Sequence, residues 1–202
     1  TPRAGWQAAL PDTRKPVWIR MPFVAASPAT GLVVGGGAEV TFFRGDPRIT
    51  RASTVMASAT VSTTGQVATR VRASVHTAGN RWFIFADNRL ENTAQRSYGL
   101  GTRSSPAGEF TTRYFLPKAN DIAFRRVYKG LYAGIGLHFA AHTGIEPAGS
   151  AAAGSSAAPF AVYSRENGFD PASQISAGTS VNAIYDNRDS SVRATRGLVA
   201  TA

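Results

Sequence analysis

The feature that most constrains this chain is a strict alternation of apolar and polar residues over long stretches. In residues 67–75, valine, threonine and alanine alternate with a second set that includes Arg70 and Arg72. In residues 131–139, leucine, alanine, isoleucine and phenylalanine alternate with glycine, Tyr132 and His138. Successive side chains of a β-strand point to opposite faces of its sheet, so this period predicts strands with one apolar and one polar face. Helical spacing is not sustained anywhere, and we therefore expect an all-β protein.

Turn signals between the alternating segments divide the chain into nine predicted strands. Glycine and asparagine mark the turns, as in Thr63-Thr64-Gly65, Ala78-Gly79-Asn80 and Ala119-Asn120-Asp121. Two connections are longer, at roughly 91–109 and 141–173. The predicted strands lie at roughly 18–26, 31–44, 50–62, 66–77, 81–90, 109–117, 122–140, 173–187 and 195–202.

The order of the connections indicates a membrane barrel. The two long connections are the fifth and the seventh, so both lie on the same edge of an up-and-down meander. The other edge receives turns near Gly45, Gly79, Asn120 and Ser190, which are predicted to be short. Outer-membrane β-barrels show this asymmetry, with short periplasmic turns and longer extracellular loops. We therefore predict an antiparallel transmembrane β-barrel over residues 18–202, preceded by a lead-in segment at 1–17.

A soluble β-sandwich is the main structural alternative, because its strands also alternate apolar and polar residues. Two features favour the barrel. Several predicted strands approach the nine to eleven residues that a tilted strand needs to cross a bilayer. Glycine also recurs on the polar face, where a packed interior requires bulk and a curved wall tolerates gaps. These glycines are Gly35, Gly37, Gly130, Gly134 and Gly136.

The composition excludes several classes of protein. The chain has no cysteine, so it forms no disulfide and no thiolate metal site. It has no apolar run long enough for a transmembrane helix. The net charge of +10 would favour nucleic acid as a partner, but the arginines are scattered and no basic run is longer than Arg125-Arg126. We predict no nucleic-acid binding, and assign the arginines to a polar lumen or an anionic lipid surface.

Motifs for chemistry are missing from the sequence. His76, His138 and His142 are well separated, and no carboxylate stands at metal-ligand spacing to them. No Gly-x-Ser-x-Gly elbow is present to support a serine nucleophile. We expect His138 to be solvated and to face the lumen near the rim. We also expect no catalytic residue, no cofactor and no metal, so the chain is predicted not to be an enzyme.

Two groups of residues are candidates for a structural or functional role. Alternate residues Arg70 and Arg72 are predicted to form a lumenal charge network with Glu39 and Asp87. Such a network either holds the wall rigid or biases solute passage, and the sequence leaves both alternatives open. The second group is predicted to be a salt-bridged motif that pins the turn between the last two strands. It comprises Tyr185, Asp186, Arg188, Asp189 and Gly197.

Several of these segments resemble the BamA/TamA superfamily of bacterial surface-antigen barrels. Tyr185-Asp186-Asn187-Arg188-Asp189 followed by Ala194-Thr195-Arg196-Gly197 is similar to the family's Tyr-Asp-x-Arg-Asp strand and Pro-Thr-x-Gly turn, with Ala194 where proline is usual. Tyr114-Phe115-Leu116-Pro117 resembles a family strand that ends in a proline turn before a glycine-rich strand. Similar segments begin at Met21 and Ser97, so that the resemblance covers most of residues 20–202.

The resemblance implies a barrel of about sixteen strands in the bacterial outer membrane, mostly preceded by POTRA modules. The family's Val-Arg-Gly-Phe motif and terminal aromatic residue are not found, so we expect the N-terminal part of such a barrel. Its implied function is to assist insertion or translocation of proteins or lipids. Its implied partners are outer-membrane lipid and lipopolysaccharide, unfolded β-barrel substrates and accessory assembly proteins. The alternatives are a barrel anchor or secretion channel for an attached enzyme, such as a patatin-like phospholipase, and a passive channel.

Overall fold

The structure is a computed structural model that describes residues 15–98, 109–148, 159–188 and 194–202. Nine strands form one antiparallel sheet in which each strand pairs with its neighbours in sequence, in the order β1 to β9. The predicted all-β class and nine-stranded antiparallel meander are thus confirmed. The sheet is open, with β1 and β9 as its edge strands. The strands are β1 Val17–Ser27, β2 Gly31–Phe42, β3 Ser53–Ser62, β4 Val67–His76, β5 Trp82–Ser97, β6 Phe110–Tyr128, β7 Leu131–Ala148, β8 Ser173–Asp186 and β9 Val199–Thr201.

The predicted turn at residues 119–121 is wrong. Strand β6 runs straight through it, and the chain turns at Lys129-Gly130, where Gly130 has a φ of +71°. Asn120 pairs with His138 and Asp121 pairs with Leu137 in the β6–β7 ladder. The side chains that signalled a turn therefore bond to neighbouring strands instead, and the proline turn implied by the resemblance is a mid-strand proline.

The connections differ from the prediction in two further respects. Strand β5 extends to Ser97, so that the fifth connection is shorter than predicted. The seventh connection contains helix α1 at Pro159–Glu166, which was not predicted from the sequence. No helix within the described ranges is both long and apolar enough to cross a bilayer.

The antiparallel order places the connections on two edges of the sheet. The upper edge carries the connections at 28–30, 63–66, 98–109 and 149–172, and the lower edge carries those at 43–52, 77–81, 129–130 and 187–198. Both long connections of the prediction lie on the upper edge. The lower edge is less regular than predicted, because its first and last connections are not short turns.

The strand registers give the sheet two distinct faces, as the alternation predicts. The polar face carries Ser58, Arg70, Arg72, Asp87, Arg89, Asn120, His138, Ser180 and Asn182. The apolar face carries Val55, Val61, Val67, Val71, Val75, Ile84, Leu90, Ile135, Leu137, Phe139, Ile175 and Val181. Among the described residues nothing covers the apolar face, since Leu137 is 63% exposed and Val181 is 89% exposed.

The small core of the described chain lies on the polar face near the lower edge. The rings of His76 and Phe83 stack with centroids 4.6 Å apart, and Phe83 stacks on Phe124 at 5.5 Å. Phe124 lies opposite Gly134 on β7, where an added Cβ atom would come within 2.5 Å of the ring. The glycine thus makes room for the buried ring, and Tyr132 beside it is also buried.

Candidate functional site

A cluster of three arginines surrounds Asp87 on the polar face. Arg70 makes a two-point contact, with Nε 2.8 Å from Oδ1 and Nη2 2.5 Å from Oδ2 of the carboxylate. The Nε atoms of Arg72 and Arg89 lie 3.7 Å and 3.5 Å from the same carboxylate. The Asp87 side chain is only 12% exposed. One carboxylate cannot neutralise three guanidinium groups, so this part of the face carries an excess of positive charge.

The structure brings together three of the four residues of the predicted charge network. Glu39 stands apart from Arg70, Arg72 and Asp87, and within the described ranges it makes no ion pair. Glu39 and Arg72 belong to one register row across the sheet, but Met56 lies between them. Arg89 joins the cluster instead. Its position two residues after Asp87 puts it on the same face of β5, and this spacing is the signal that could have identified it.

The same register row leads into a series of hydrogen-bonded polar side chains. Asp87 pairs with Asn120, and Asn120 pairs with His138. The Nδ1 atom of His138 is 3.2 Å from Asn120 Oδ1, and its Nε2 atom is 2.7 Å from Ser180 Oγ. Asn182 Nδ2 donates a hydrogen bond to the same Ser180 oxygen at 2.7 Å. His138 is therefore hydrogen-bonded in the middle of the face, rather than solvated near the rim as predicted.

A second charged cluster lies at the lower edge, around Asp186. Arg188 donates to the Asp186 carboxylate from Nε at 3.0 Å and from Nη2 at 2.9 Å. These hydrogen bonds raise the pKa of the Arg188 guanidinium. Arg51, from the connection between β2 and β3, forms an ion pair with the same carboxylate through Nη1. The Asp186 side chain is 5% exposed, so that its charge depends on these two partners.

Arg51 also ties the lower-edge connections to one another. Its backbone N–H donates to Asn80 Oδ1 at 2.7 Å, and Asn80 Nδ2 donates to the carbonyl of Ile49 at 2.8 Å. No local pattern in the sequence marks Arg51, because its partner Asp186 is 135 positions away. The cluster at the lower edge is thus a long-range contact that could not be found from spacing.

The other residues of the predicted turn motif surround Asp186. Tyr185 OH accepts a hydrogen bond from Asn187 Nδ2 at 3.1 Å. Gly197 has a φ of +102°, and a Cβ atom there would lie 2.6 Å from Arg188 Cα. The glycine therefore lets the 194–198 segment pack closely against the end of β8. Asp189 lies outside the described residues.

The geometry defines a class rather than a particular protein: an open antiparallel β-meander with an arginine-rich polar face and an uncovered apolar face. Comparisons with protein-family models, curated proteins and solved structures find no match for this chain. In the part of the chain that the structure describes, no group of three or more His, Asp or Glu side chains is arranged to hold a metal ion.

Proposed function

We propose that this chain forms part of the wall of a transmembrane β-barrel in the bacterial outer membrane. The observation that carries the proposal is the uncovered apolar face, which includes Ile135, Leu137 and Val181. Soluble monomers rarely expose contiguous apolar surface beyond a few hundred Å². Lipid tails cover such a face favourably, while water on the other side solvates the arginines.

The open edges of the sheet imply that further strands complete the barrel. Within the described ranges, strands β1 and β9 each have a neighbouring strand on one side only. Unpaired backbone N–H and C=O groups are costly in hydrocarbon, so a spanning sheet has to close. We propose that this chain is the N-terminal part of a barrel of about sixteen strands, which is within the range known for such barrels.

The resemblance to the BamA/TamA superfamily supports a role in assisting insertion or translocation of proteins or lipids. Strand β1 is suited to this role, because Arg20 is its only charged residue and no described strand pairs with its outer edge. An unfolded β-barrel substrate would add to this edge by β-augmentation. Accessory assembly proteins, lipid and lipopolysaccharide complete the set of proposed partners.

The membrane topology can be tested with single cysteines, since the chain has none. We expect Leu137→Cys, on the apolar face, to resist a water-soluble maleimide after reconstitution into liposomes. Ser176→Cys, on the polar face of β8, is the matched control and should react. Both should react after denaturation. The barrel proposal would be contradicted if both positions were labelled equally and the protein stayed monomeric in solution without detergent.

The assembly function requires a separate measurement. Liposomes that contain the folded chain, within its full-length protein, should accelerate folding of a urea-unfolded outer-membrane β-barrel. The readout is the appearance of the folded, heat-modifiable band in an electrophoresis gel. Liposomes with an unrelated β-barrel of similar size are the control. An unchanged rate would reject the assembly function and leave the barrel proposal intact.

A passive channel is the second candidate, favoured by the excess of arginine around Asp87. Positive charge along a water-filled lumen attracts anions and raises their local concentration. Planar bilayers should then show stepwise conductance with a preference for anions. Arg72→Gln should reduce that preference, because Arg72 is the most exposed arginine of the cluster. A bilayer that shows no conductance steps would reject the passive channel.

A further inference from the structure

We propose that Ser180, His138 and Asn120 form a serine-nucleophile site that hydrolyses carboxylic esters on the polar face of the sheet. The three residues lie on the neighbouring strands β8, β7 and β6. His138 Nε2 is 2.7 Å from Ser180 Oγ, and His138 Nδ1 is 3.2 Å from Asn120 Oδ1. A serine hydroxyl is activated when it is hydrogen-bonded to a base and a third group holds that base in the right orientation.

The hydrogen-bond directions give each group the protonation state that the reaction needs. An amide nitrogen only donates, so Ser180 Oγ accepts from Asn182 Nδ2 at 2.7 Å. The hydroxyl proton of Ser180 is then free to point to His138 Nε2. An amide oxygen only accepts, so His138 Nδ1 donates to Asn120 Oδ1, and in the neutral imidazole the other nitrogen, Nε2, then carries no proton. This tautomer directs a lone pair of the imidazole at the hydroxyl, as a general base requires.

Two glycines leave space for this arrangement and for a substrate. A Cβ atom on Gly136 would lie 2.4 Å from Ser180 Oγ, 2.9 Å from His138 Nε2 and 3.2 Å from Asn182 Nδ2. The three polar groups therefore converge directly above Gly136. Gly178, the register partner of His138, has open space around it. A cavity of about 280 Å³ beside His138 extends to Lys118, whose positive charge favours esters that carry an anionic group.

The proposed reaction balances with water as the only co-reactant. Ser180 Oγ bonds to the ester carbonyl carbon as His138 Nε2 takes the hydroxyl proton, and the carbonyl oxygen becomes an oxyanion that can accept from Asn182 Nδ2. The bond to the alcohol oxygen then breaks, and the alcohol leaves with the proton from His138. A water molecule, deprotonated by His138, attacks the acyl carbon of acyl-Ser180. The carboxylic acid is released and the proton returns to Ser180.

Sequence motifs could not reveal this site, since its residues lie on three strands and no Gly-x-Ser-x-Gly elbow surrounds Ser180. The proposal runs against the expectation that the chain is not an enzyme. It stands independently of the proposed assembly function, because it requires only the polar face of β6 to β8.

The decisive experiment is covalent labelling of the complete chain, folded in micelles of a detergent that contains no ester. A fluorophosphonate probe should modify Ser180, as mapped by mass spectrometry of the digested protein. Ser180→Ala should lose the label and lower ester hydrolysis by roughly a hundredfold or more. Ser58→Ala removes a serine hydroxyl from the same polar face, on β3 and outside the cavity beside His138, and should change neither. Circular dichroism and heat-modifiable mobility show whether each variant has folded.

Several results would overturn the proposal. A folded wild-type chain that takes up no probe has no activated serine at this site. Labelling that persists in Ser180→Ala, or disappears in Ser58→Ala, places the reactive group elsewhere. The substrate class is tested with the neutral ester p-nitrophenyl butyrate and its anionic counterpart mono-p-nitrophenyl succinate. The anionic ester should react faster, and Lys118→Gln should abolish the difference. Equal rates in the wild type would reject the role of Lys118.

Asn120 is a positioning residue, and its test needs a readout beyond activity. Asn120→Ala should lower hydrolysis roughly tenfold to a hundredfold by releasing the ring. Asn120→Asp should restore hydrolysis and move the rising limb of its pH profile to higher pH, because a carboxylate beside Nδ1 favours the protonated imidazole. The charged groups of the polar face near His138 are Lys118 on β6 and the cluster around Asp87 on β4 and β5, and the substitution changes none of these residues. If the rising part of the pH profile stayed at the same pH in Asn120→Asp, Asn120 would have only a structural role.

Discussion

Arg51 and Asp186 form an ion pair between the segment before β3 and the last residue of β8, five strands further along the sheet. Neighbouring strands are about 4.8 Å apart, so five spacings in a flat sheet would separate these positions by roughly 24 Å. An arginine side chain cannot reach that far. The sheet must therefore curve toward its polar face at the lower edge, and this ion pair lies across the curve.

The first prediction concerns this contact. Asp186→Asn keeps the shape of the side chain but removes the charge that faces Arg51 and Arg188. We expect it to lower the free energy of unfolding by about 2–4 kcal/mol, since breaking one side of a buried pair leaves a charge uncompensated. Urea titration in detergent micelles, followed by tryptophan fluorescence, measures the change.

A double-mutant cycle separates the ion pair from general damage at the lower edge. Arg51→Ala combined with Asp186→Asn should cost clearly less than the sum of the single variants. Arg48→Ala is the matched control, because Arg48 lies in the same connection and is exposed. It should change the free energy of unfolding by less than about 0.5 kcal/mol. Additive effects of the two single variants would contradict a direct interaction.

The second prediction compares two acids that share one register row of the polar face. Asp87→Asn leaves three arginines without their carboxylate and should destabilise the folded chain by about 1–3 kcal/mol. Glu39→Gln should have almost no effect, because Glu39 makes no ion pair within the described ranges. Urea titration of the two variants in parallel measures the difference. Equal losses would mean that the cost comes from net charge and not from the contacts of Asp87.

The faces of the strands could be predicted from the sequence because alternation acts within each strand. The apolar residues around Val71 and those around Leu137 are each predicted to share one face of their strand, and the registers bring both sets to the same face of the sheet. Alternation likewise puts Arg70 and Arg72 on one face of β4, and the register of β4 with β5 brings Asp87 to that face. Local periodicity is enough for such assignments, because the geometry of a strand fixes the direction of each side chain.

The course of β6 through residues 119–121 and the contacts of Arg51 could not be predicted, since both depend on partners distant in sequence. Asn120 and Asp121 favour a turn when considered alone, but His138 and Asn88 satisfy their side chains within the sheet. The chain actually turns at Gly130, but this glycine continues the alternation of residues 131–139, so that the sequence predicts a strand there. The Ser180 and His138 contact was also missed, as it depends on the register of β7 with β8.

The third prediction concerns the glycine beneath the buried ring of Phe124. Gly134→Ala would place a Cβ atom 2.5 Å from the ring and 2.9 Å from the carbonyl oxygen of Ala123. We expect a loss of about 1–3 kcal/mol in the free energy of unfolding, as for other overpacked sites. Gly178→Ala is the control, because nothing lies within 4 Å of its added Cβ atom. A loss of the same size in both variants would indicate a general glycine effect rather than a clash.

The fourth prediction uses a polar pair on the apolar face to test what covers that face. Asn88 Nδ2 donates to Asp121 Oδ1 at 3.1 Å, beside Leu137, and within the described chain the Asn88 Oδ1 atom is buried without a partner. Lipid offers neither residue a hydrogen bond, so both are costly if the face lies in the bilayer. Replacing both with leucine should therefore stabilise the protein in liposomes by about 1–3 kcal/mol.

A single variant makes this test more specific. Asn88→Leu removes the amide that donates to Asp121 and leaves the carboxylate beside apolar residues. This variant should therefore be less stable than the wild type in liposomes. Urea titration of the double variant, the single variant and the wild type gives the order. If the face were bathed in water, Asp121 would be solvated without Asn88 and the single variant would lose little. If the double variant were the least stable of the three proteins, this part of the sheet would not face lipid.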